Sequence, residues 1–138
     1  MQASFYPHWS IRLMVLCSII AMPTFGLFAQ QLSILVREVS SIDLTLEKGS
    51  APKAIIKAKG KVVTAGHTNP RLLQVLYVMP PADGIQDFDF YVDPPPPSTV
   101  VAQVIADIET PPLRLEHIPP WMKGVRVRAQ TNSLDRSF

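Results

Sequence analysis

Proline punctuation constrains this chain more than any other feature. Pro80-Pro81, the run Pro94 to Pro97, Pro111-Pro112 and Pro119-Pro120 cut its second half into short pieces. A proline inside a helix removes a hydrogen bond and clashes with the preceding turn, so these pieces are poor helix candidates. Four consecutive residues without amide donors cannot sit inside a sheet either, which makes Pro94 to Pro97 a stiff connection of polyproline type.

What lies between the prolines alternates with period two, the pattern of half-buried strands. Ser33 to Val39 opens the series, and Ile42, Leu44 and Leu46 alternate with Asp43, Thr45 and Glu47, giving one bent edge strand or two. From Lys53 to Thr64, Ala54, Ile56 and Ala58 share one face and Lys57, Lys59 and Lys61 the other, with Gly60 placed at a bulge. Leu72 to Met79 is apolar on both faces except at Gln74 and reads as a central, doubly covered strand. Asp83-Gly84 supplies the left-handed backbone of a chain reversal, after which Phe88, Phe90 and Val92 point one way and Asp87, Asp89, Tyr91 and Asp93 the other. Val100 to Ile108, a short run at Leu113 and Leu115, and Gly124 to about Asn132 complete the set, before a polar tail at Asp135 to Phe138. About seven strands with closely spaced turns and no helix after the leader predict an immunoglobulin-like two-sheet β-sandwich.

The leader is the stretch 1–29. Arg12 and His8 precede an uncharged apolar run from Leu13 to Met22, with Pro23, Gly26 and the small Ala29 behind it. This is the layout of a secretory signal peptide cleaved after Ala29, with an uncleaved anchor as the alternative. Residues 30–138 then form one domain, of a length that buries a single core. Cys17, the sole cysteine, falls inside the leader. The exported chain therefore has no disulfide, no zinc-thiolate cluster and no cysteine nucleophile. With no Asn-x-Ser/Thr acceptor as well, its composition leans toward a secreted or periplasmic protein, bacterial in type, with no membrane insertion once the leader is removed.

Charge says little about partners. Of 13 basic residues the leader takes Arg12, leaving 12 against 11 acidic ones, and no basic stripe interleaved with aromatics suggests nucleic acid. Asp83, Asp87, Asp89 and Asp93 stand in a row on a strand face and do not converge as a calcium loop does. They are expected to face Lys57, Lys59 and Lys61 and Arg126 and Arg128 across neighbouring strands. No nucleophile elbow, phosphate loop or paired-histidine zinc motif occurs, so no enzymatic activity and no cofactor are expected.

Binding residues are sought in the loops that a rigid sandwich presents. The stretch Gly66 to Leu73 places His67, Asn69 and Arg71 together. Asn69-Pro70 reads first as a turn with Arg71 pairing to an acidic neighbour, and second as a recognition loop. Trp121, beside Pro119-Pro120, either closes the end of the core or joins that loop as an apolar anchor. Pro95 and Pro96 lie in a pre-extended segment suited to docking, or, as part of Asp93 to Ser98, to a protease inhibitor's loop. Copper is the chemical alternative, through His67, His117, Met79 and Met122, although these ligands are not clustered. The expectation is a non-catalytic exported module that binds an envelope or extracellular protein through its end loops, with a structural accessory of a larger assembly as a further possibility.

Overall fold

Phe88, Phe90 and Val92 alternate with charged or polar neighbours, and the strand they define is the spine of the fold. The computed structural model describes residues 32–138. The expected signal peptide and Cys17 lie outside the described residues. Nine strands follow in order: β1 (Ile34–Leu35), β2 (Glu38–Glu47), β3 (Lys53–Val62), β4 (Thr68–Gln74), β5 (Ile85–Asp93), β6 (Ala106–Glu109), β7 (Leu113–Leu115), β8 (Gly124–Arg128) and β9 (Ser133–Ser137). They form two packed sheets, the sandwich that the alternation predicts, with no helix among the described residues.

Each sheet is built around one long strand. In the first, Phe88 of β5 lies opposite Gln74 of antiparallel β4 on one side and Val127 of parallel β8 on the other. β1 continues the β8 side, pairing Leu35 with Tyr91, and β9 adds antiparallel to β8. In the second, β3 pairs with β2 along its whole length, and its other side is shared by β6 and β7. Phe88, Phe90, Val92, Val125 and Val127 from one sheet meet Ile42, Ile56, Ala58 and Val62 from the other. Complete burial of a valine, isoleucine or phenylalanine contributes about 1.5–3 kcal/mol, so this layer dominates stability.

The chain changes sheets between β1 and β2. Val36 N–H donates to Phe90 O at 2.9 Å in the first sheet, and the next amide, Arg37 N–H, donates to Lys61 O at 3.0 Å in the second. The β8–β9 turn clips this crossing in place. Gln130 N–H reaches Val36 O, Thr131 N–H reaches Arg37 O, and the Asn132 side chain accepts from Val39 N–H at 2.8 Å while donating to Val39 O at 2.9 Å.

Several expectations are corrected. The run Leu72 to Met79 is not a central strand: β4 sits at a sheet edge and stops at Gln74. Pro70, with no N–H to donate, occupies an edge position as prolines in sheets must. Beyond it, Gln86 Nε2 takes Val75 O at 2.7 Å, ending the backbone ladder. Strand structure begins only at Ala106, and not at Val100, because Ala106 lies opposite Val62 and β3 extends no further. The last strand is a hairpin, β8 and β9, so the expected polar tail is paired. The bulge opposite Gly60 has its extra residue, Ser40, on β2, where the register shifts between Val39 and Ser41. Gly60 serves close approach: a Cβ there would lie 2.6 Å from Glu38 O and 3.0 Å from Phe90 Cε1.

Candidate functional site

The two ends of β5 carry the candidate residues. Its nine residues, at ~3.3 Å each, hold those ends about 26 Å apart. At the Asp93 end, Thr68 to Gln74 is a strand with a bulge, preceded by a turn at Ala65-Gly66, and the expected Asn-Pro turn is absent. Between Thr68 and Arg71 the register gains one residue, and Asn69 takes φ 52°, a left-handed conformation that asparagine tolerates better than most. Asp93 gathers the surrounding polar groups. Its carboxylate accepts from Asn69 Nδ2 at 2.9 Å, Arg71 at 3.0 Å and Ser33 Oγ at 2.7 Å, and Arg71 also donates to Ser33 Oγ and to Asn69 O. Hydrogen bonds from Asn69 and Ser33, then Arg71, hold the Asp93 carboxyl below its ordinary value. Arg71 finds the acidic neighbour expected of it.

His67 stands apart from that cluster, its Nδ1 within 2.8 Å of Thr64 O. Pro95 packs at the Gly66 turn, where a Cβ on Gly66 would lie 3.5 Å from Pro95 Cβ. Pro96 is exposed and begins a turn closed by Thr99 N–H at 2.9 Å from its carbonyl, so the extended stretch ends there.

Trp121 lies at the opposite end and cannot join His67, Asn69 and Arg71. The turn at Pro119 to Met122 presents it, and Lys123 N–H donates to Gly84 O at 2.8 Å, pinning this turn to the start of β5. Gly84 has φ 71°, the left-handed conformation expected of the Asp-Gly pair. Trp121 is half-buried against the core and, with Gln74, Leu76, Tyr77, Pro80 and Gln86, lines a cleft of about 320 Å³. Above the cleft the continuation of β4 leaves the sheet with its apolar side chains outward: Leu76 is 88% exposed, Met79 76%, and Val78 entirely. Three bonds hold this loop at its base: Val75 N–H to Asp87 O at 3.0 Å, Gln86 Nε2 to Val75 O, and Tyr77 Oη to the Asp87 carboxylate. That last bond raises the Tyr77 hydroxyl above its ordinary value, because Asp87 stabilises the protonated form.

The four copper candidates do not converge. His67 borders a narrow crevice with Val62 and Val63, at one end of β3. His117 follows β7, whose Leu115 is opposite Ala54 at the other end. Met122 is 7% exposed in the core and Met79 faces solvent. No group of three or more His, Cys, Asp or Glu side chains suited to a metal ion occurs among the described residues.

The acidic row of β5 is taken up by arginine. Asp87 lies opposite Arg126 and Asp89 opposite Arg128, and Arg126 reaches Asp135, Asp83 and Asp87 at 2.9, 3.2 and 3.3 Å. The lysine row belongs to the other sheet, where Lys57 pairs with Glu109. A concavity of about 720 Å³ lies along the seam between β2 and β9, where Arg136 donates to Ile42 O at 3.3 Å.

Sequence reasoning missed Leu76 to Val78 and Gln86 as members of a site, and considered Met79 only as a copper ligand. The available signal was the bracketing of that run by Pro70 and Pro80-Pro81, which marks an edge strand running into a loop. No protein-family model, curated protein or solved structure matches the chain, so the geometry of its two ends is what bears on function.

Proposed function

We propose that the chain is an exported, non-catalytic β-sandwich module that binds an envelope or extracellular protein through its Trp121 end. The observation that carries this reading is the Leu76–Met79 loop: an apolar crest in water, held at its base by three hydrogen bonds and backed by a tryptophan cleft. A protein seldom exposes contiguous large apolar side chains without a partner for them. Each of Leu76, Val78 and Met79 contributes about 1.5–3 kcal/mol when fully covered, and the tethered base limits the ordering cost. The leader-like run at 1–29 and the absence of catalytic motifs from the sequence support export and a binding role.

The test is crosslinking and co-purification of the tagged protein from its own envelope and medium, read by mass spectrometry. Val78→Asp puts a charge on the crest without touching the core, and Val100→Asp does the same at the other end. A protein recovered in stoichiometric yield with wild type and Val100→Asp, and lost with Val78→Asp, is the expected result. Recovery unchanged by Val78→Asp rejects the reading. The same sample reports the mature N-terminus, which tests cleavage after Ala29.

A further inference from the structure

The alternation that buries Phe88 and Phe90 continues to the Trp121 end of the sandwich, where it carries amides in place of apolar side chains. Gln86 has the same parity on β5 as Phe88, and Gln74 lies directly opposite Phe88 on β4, in line with the buried Leu72. Both line the Trp121 cleft. Gln86 is 2% exposed, and its Nε2 serves the fold by donating to Val75 O and Asp87 O at 2.7 and 3.0 Å. Its Oε1 has no hydrogen-bond partner among the described residues. No buried side-chain oxygen or nitrogen among them is left unpartnered, so this oxygen opens onto solvent, and the cleft is the opening that Gln86 lines. The half-buried Trp121 makes no side-chain hydrogen bond among the described residues either, so its indole N–H also reaches water. Gln74 is exposed, and its amide is equally uncommitted among the described residues.

What can occupy this cleft follows from what lines it. No charged side chain does, so a neutral occupant is favoured. The Tyr77 hydroxyl is committed to Asp87, which leaves its ring, with that of Trp121, as apolar surface. The spare groups are an acceptor on Gln86, a donor on Trp121 and an amide on Gln74 that is both, and hydroxyls, each able to donate and accept, complement such a set. A peptide main chain would need strand backbone to pair with, but where β4 runs into the cleft Val75 already has its N–H on Asp87 O and its carbonyl on Gln86 Nε2. A sugar ring meets both requirements. The C–H groups of its face carry the partial positive charge that the negative face of an aromatic ring attracts, and its rim is hydroxyl.

We propose that the Trp121 cleft binds a neutral pyranose unit of an oligosaccharide, its ring face against Trp121 and Tyr77 and its hydroxyls on Gln86 Oε1, the Trp121 N–H and Gln74. This rests on the Trp121 end being the binding end, and it gives the cleft a ligand separate from the protein that covers the crest. At about 320 Å³ the cleft lies at the small end of the roughly 300–1,000 Å³ range of ligand pockets, which suits a short saccharide.

Amide NMR of nitrogen-labelled protein, purified from its own envelope or medium and titrated with sugars, tests it without altering the cleft. The panel is neutral oligosaccharides of α- and β-linked glucose, mannose, galactose, xylose and N-acetylglucosamine, with polygalacturonate as the charged probe and a neutral proline-rich peptide as the non-sugar one. At least one neutral oligosaccharide should move the Gln86 side-chain amide and Trp121 indole signals together. Trp121→Phe, which keeps a ring and loses the indole N–H, and Gln74→Ala, which breaks no side-chain hydrogen bond of the described residues, should each weaken that ligand about fivefold, the scale of one hydrogen bond. Val78→Asp should leave it unchanged, because Val78 stands on the crest and does not line the cleft. A titration in which no neutral member moves those signals overturns the proposal, as does binding that neither variant weakens, or binding of the charged polymer or the peptide in place of the sugars. If the crest still recovers an envelope protein in that event, the sugar assignment falls alone and the binding function stands, whereas loss of partner recovery as well rejects both.

Discussion

The two ends of β5 solve opposite problems with the same kind of backbone. At the Asp93 end a left-handed Asn69 turns polar groups inward on one carboxylate, and Ser33, Asn69 and Arg71 all donate to it. At the Gly84 end a left-handed glycine brings Trp121 and the β4 continuation together, and the apolar side chains above them face water. One end satisfies itself and the other does not. On the function proposed above, binding falls to the Gly84 end alone, and substitutions should tell the two ends apart.

The largest effect is expected at Gly84. A Cβ there would lie 2.9 Å from Trp121 O and 3.1 Å from Lys123 side-chain carbons, at a φ that costs an ordinary residue about 1–2 kcal/mol. Adding the cost of overpacking against backbone, Gly84→Ala should lose about 3 kcal/mol in denaturant unfolding. Gly66→Ala is its counterpart at the other end. Its φ is also positive, but the nearest atom, Val101 Cγ1 at 3.0 Å, belongs to a side chain that can shift, so about 1–2 kcal/mol is expected. Equal losses would mean that the Trp121 turn is no more firmly fixed than the proline loop.

Next in size is the clip at the locked end. Asn132 bonds both backbone groups of Val39, which is 1% exposed. Asn132→Ala leaves a buried donor and acceptor unpaired and should cost about 2 kcal/mol. Asn132→Asp restores only the acceptor and should fall between. Partner recovery through the Trp121 end should survive both wherever the fold does, since the clip lies at the other end.

How far the sequence revealed this arrangement depended on whether its cues were local. Phe88, Phe90 and Val92, and Ala54, Ile56 and Ala58, declared their buried faces by alternation, and all six are buried. Asp83-Gly84 declared its backbone, and Asp87 and Asp89 found Arg126 and Arg128 because charge on alternate residues predicts the face if not the neighbour. The failures share a cause. An apolar run looks the same in a core and on an exposed crest, so Leu76 to Met79 read as buried, and Val100 and Val104 as inward-facing. Only the partner strands decide, and nothing local tells that β3 ends at Val62 or that β1 and β8 share one side of β5. The Asp93 cluster joins residues 60 positions apart, which no spacing rule reaches.

Acid should act on the locked end. Hydrogen bonds depress Asp93 from its ordinary 3.8, so its contribution is complete above that value and disappears as pH falls through the lower folded one. Asp83, Glu109 and Glu116 are held down as well and share the acid slope. The difference between wild type and Asp93→Asn isolates the cluster: unfolding measured against pH should flatten in the variant below about pH 4. If the two profiles run parallel, Asp93 is not the hub of that end.

The smallest change in stability, and the sharpest in dynamics, is expected from Tyr77→Phe. The hydroxyl is largely solvent-facing, so its loss should alter global stability by no more than about 0.5 kcal/mol. Among the described residues it is nevertheless the tether of the three that acts beyond Val75, since the other two hold Val75 itself. Amide hydrogen exchange at Leu76 to Met79 should therefore quicken in the variant, while Phe88 to Val92 remain protected. Alkali should do the same to the wild type. The Asp87 bond raises the Tyr77 hydroxyl above 10.0, so the tether is intact below that value and is lost as pH rises through the higher folded one, when two negative oxygens would face each other. Tyr77→Phe should show no such alkaline step in exchange beyond the ordinary base catalysis seen at other exposed amides. A loop that already exchanges as fast in wild type at neutral pH as in the variant would show that Tyr77 does not order the crest, and the low ordering cost argued for binding would go with it.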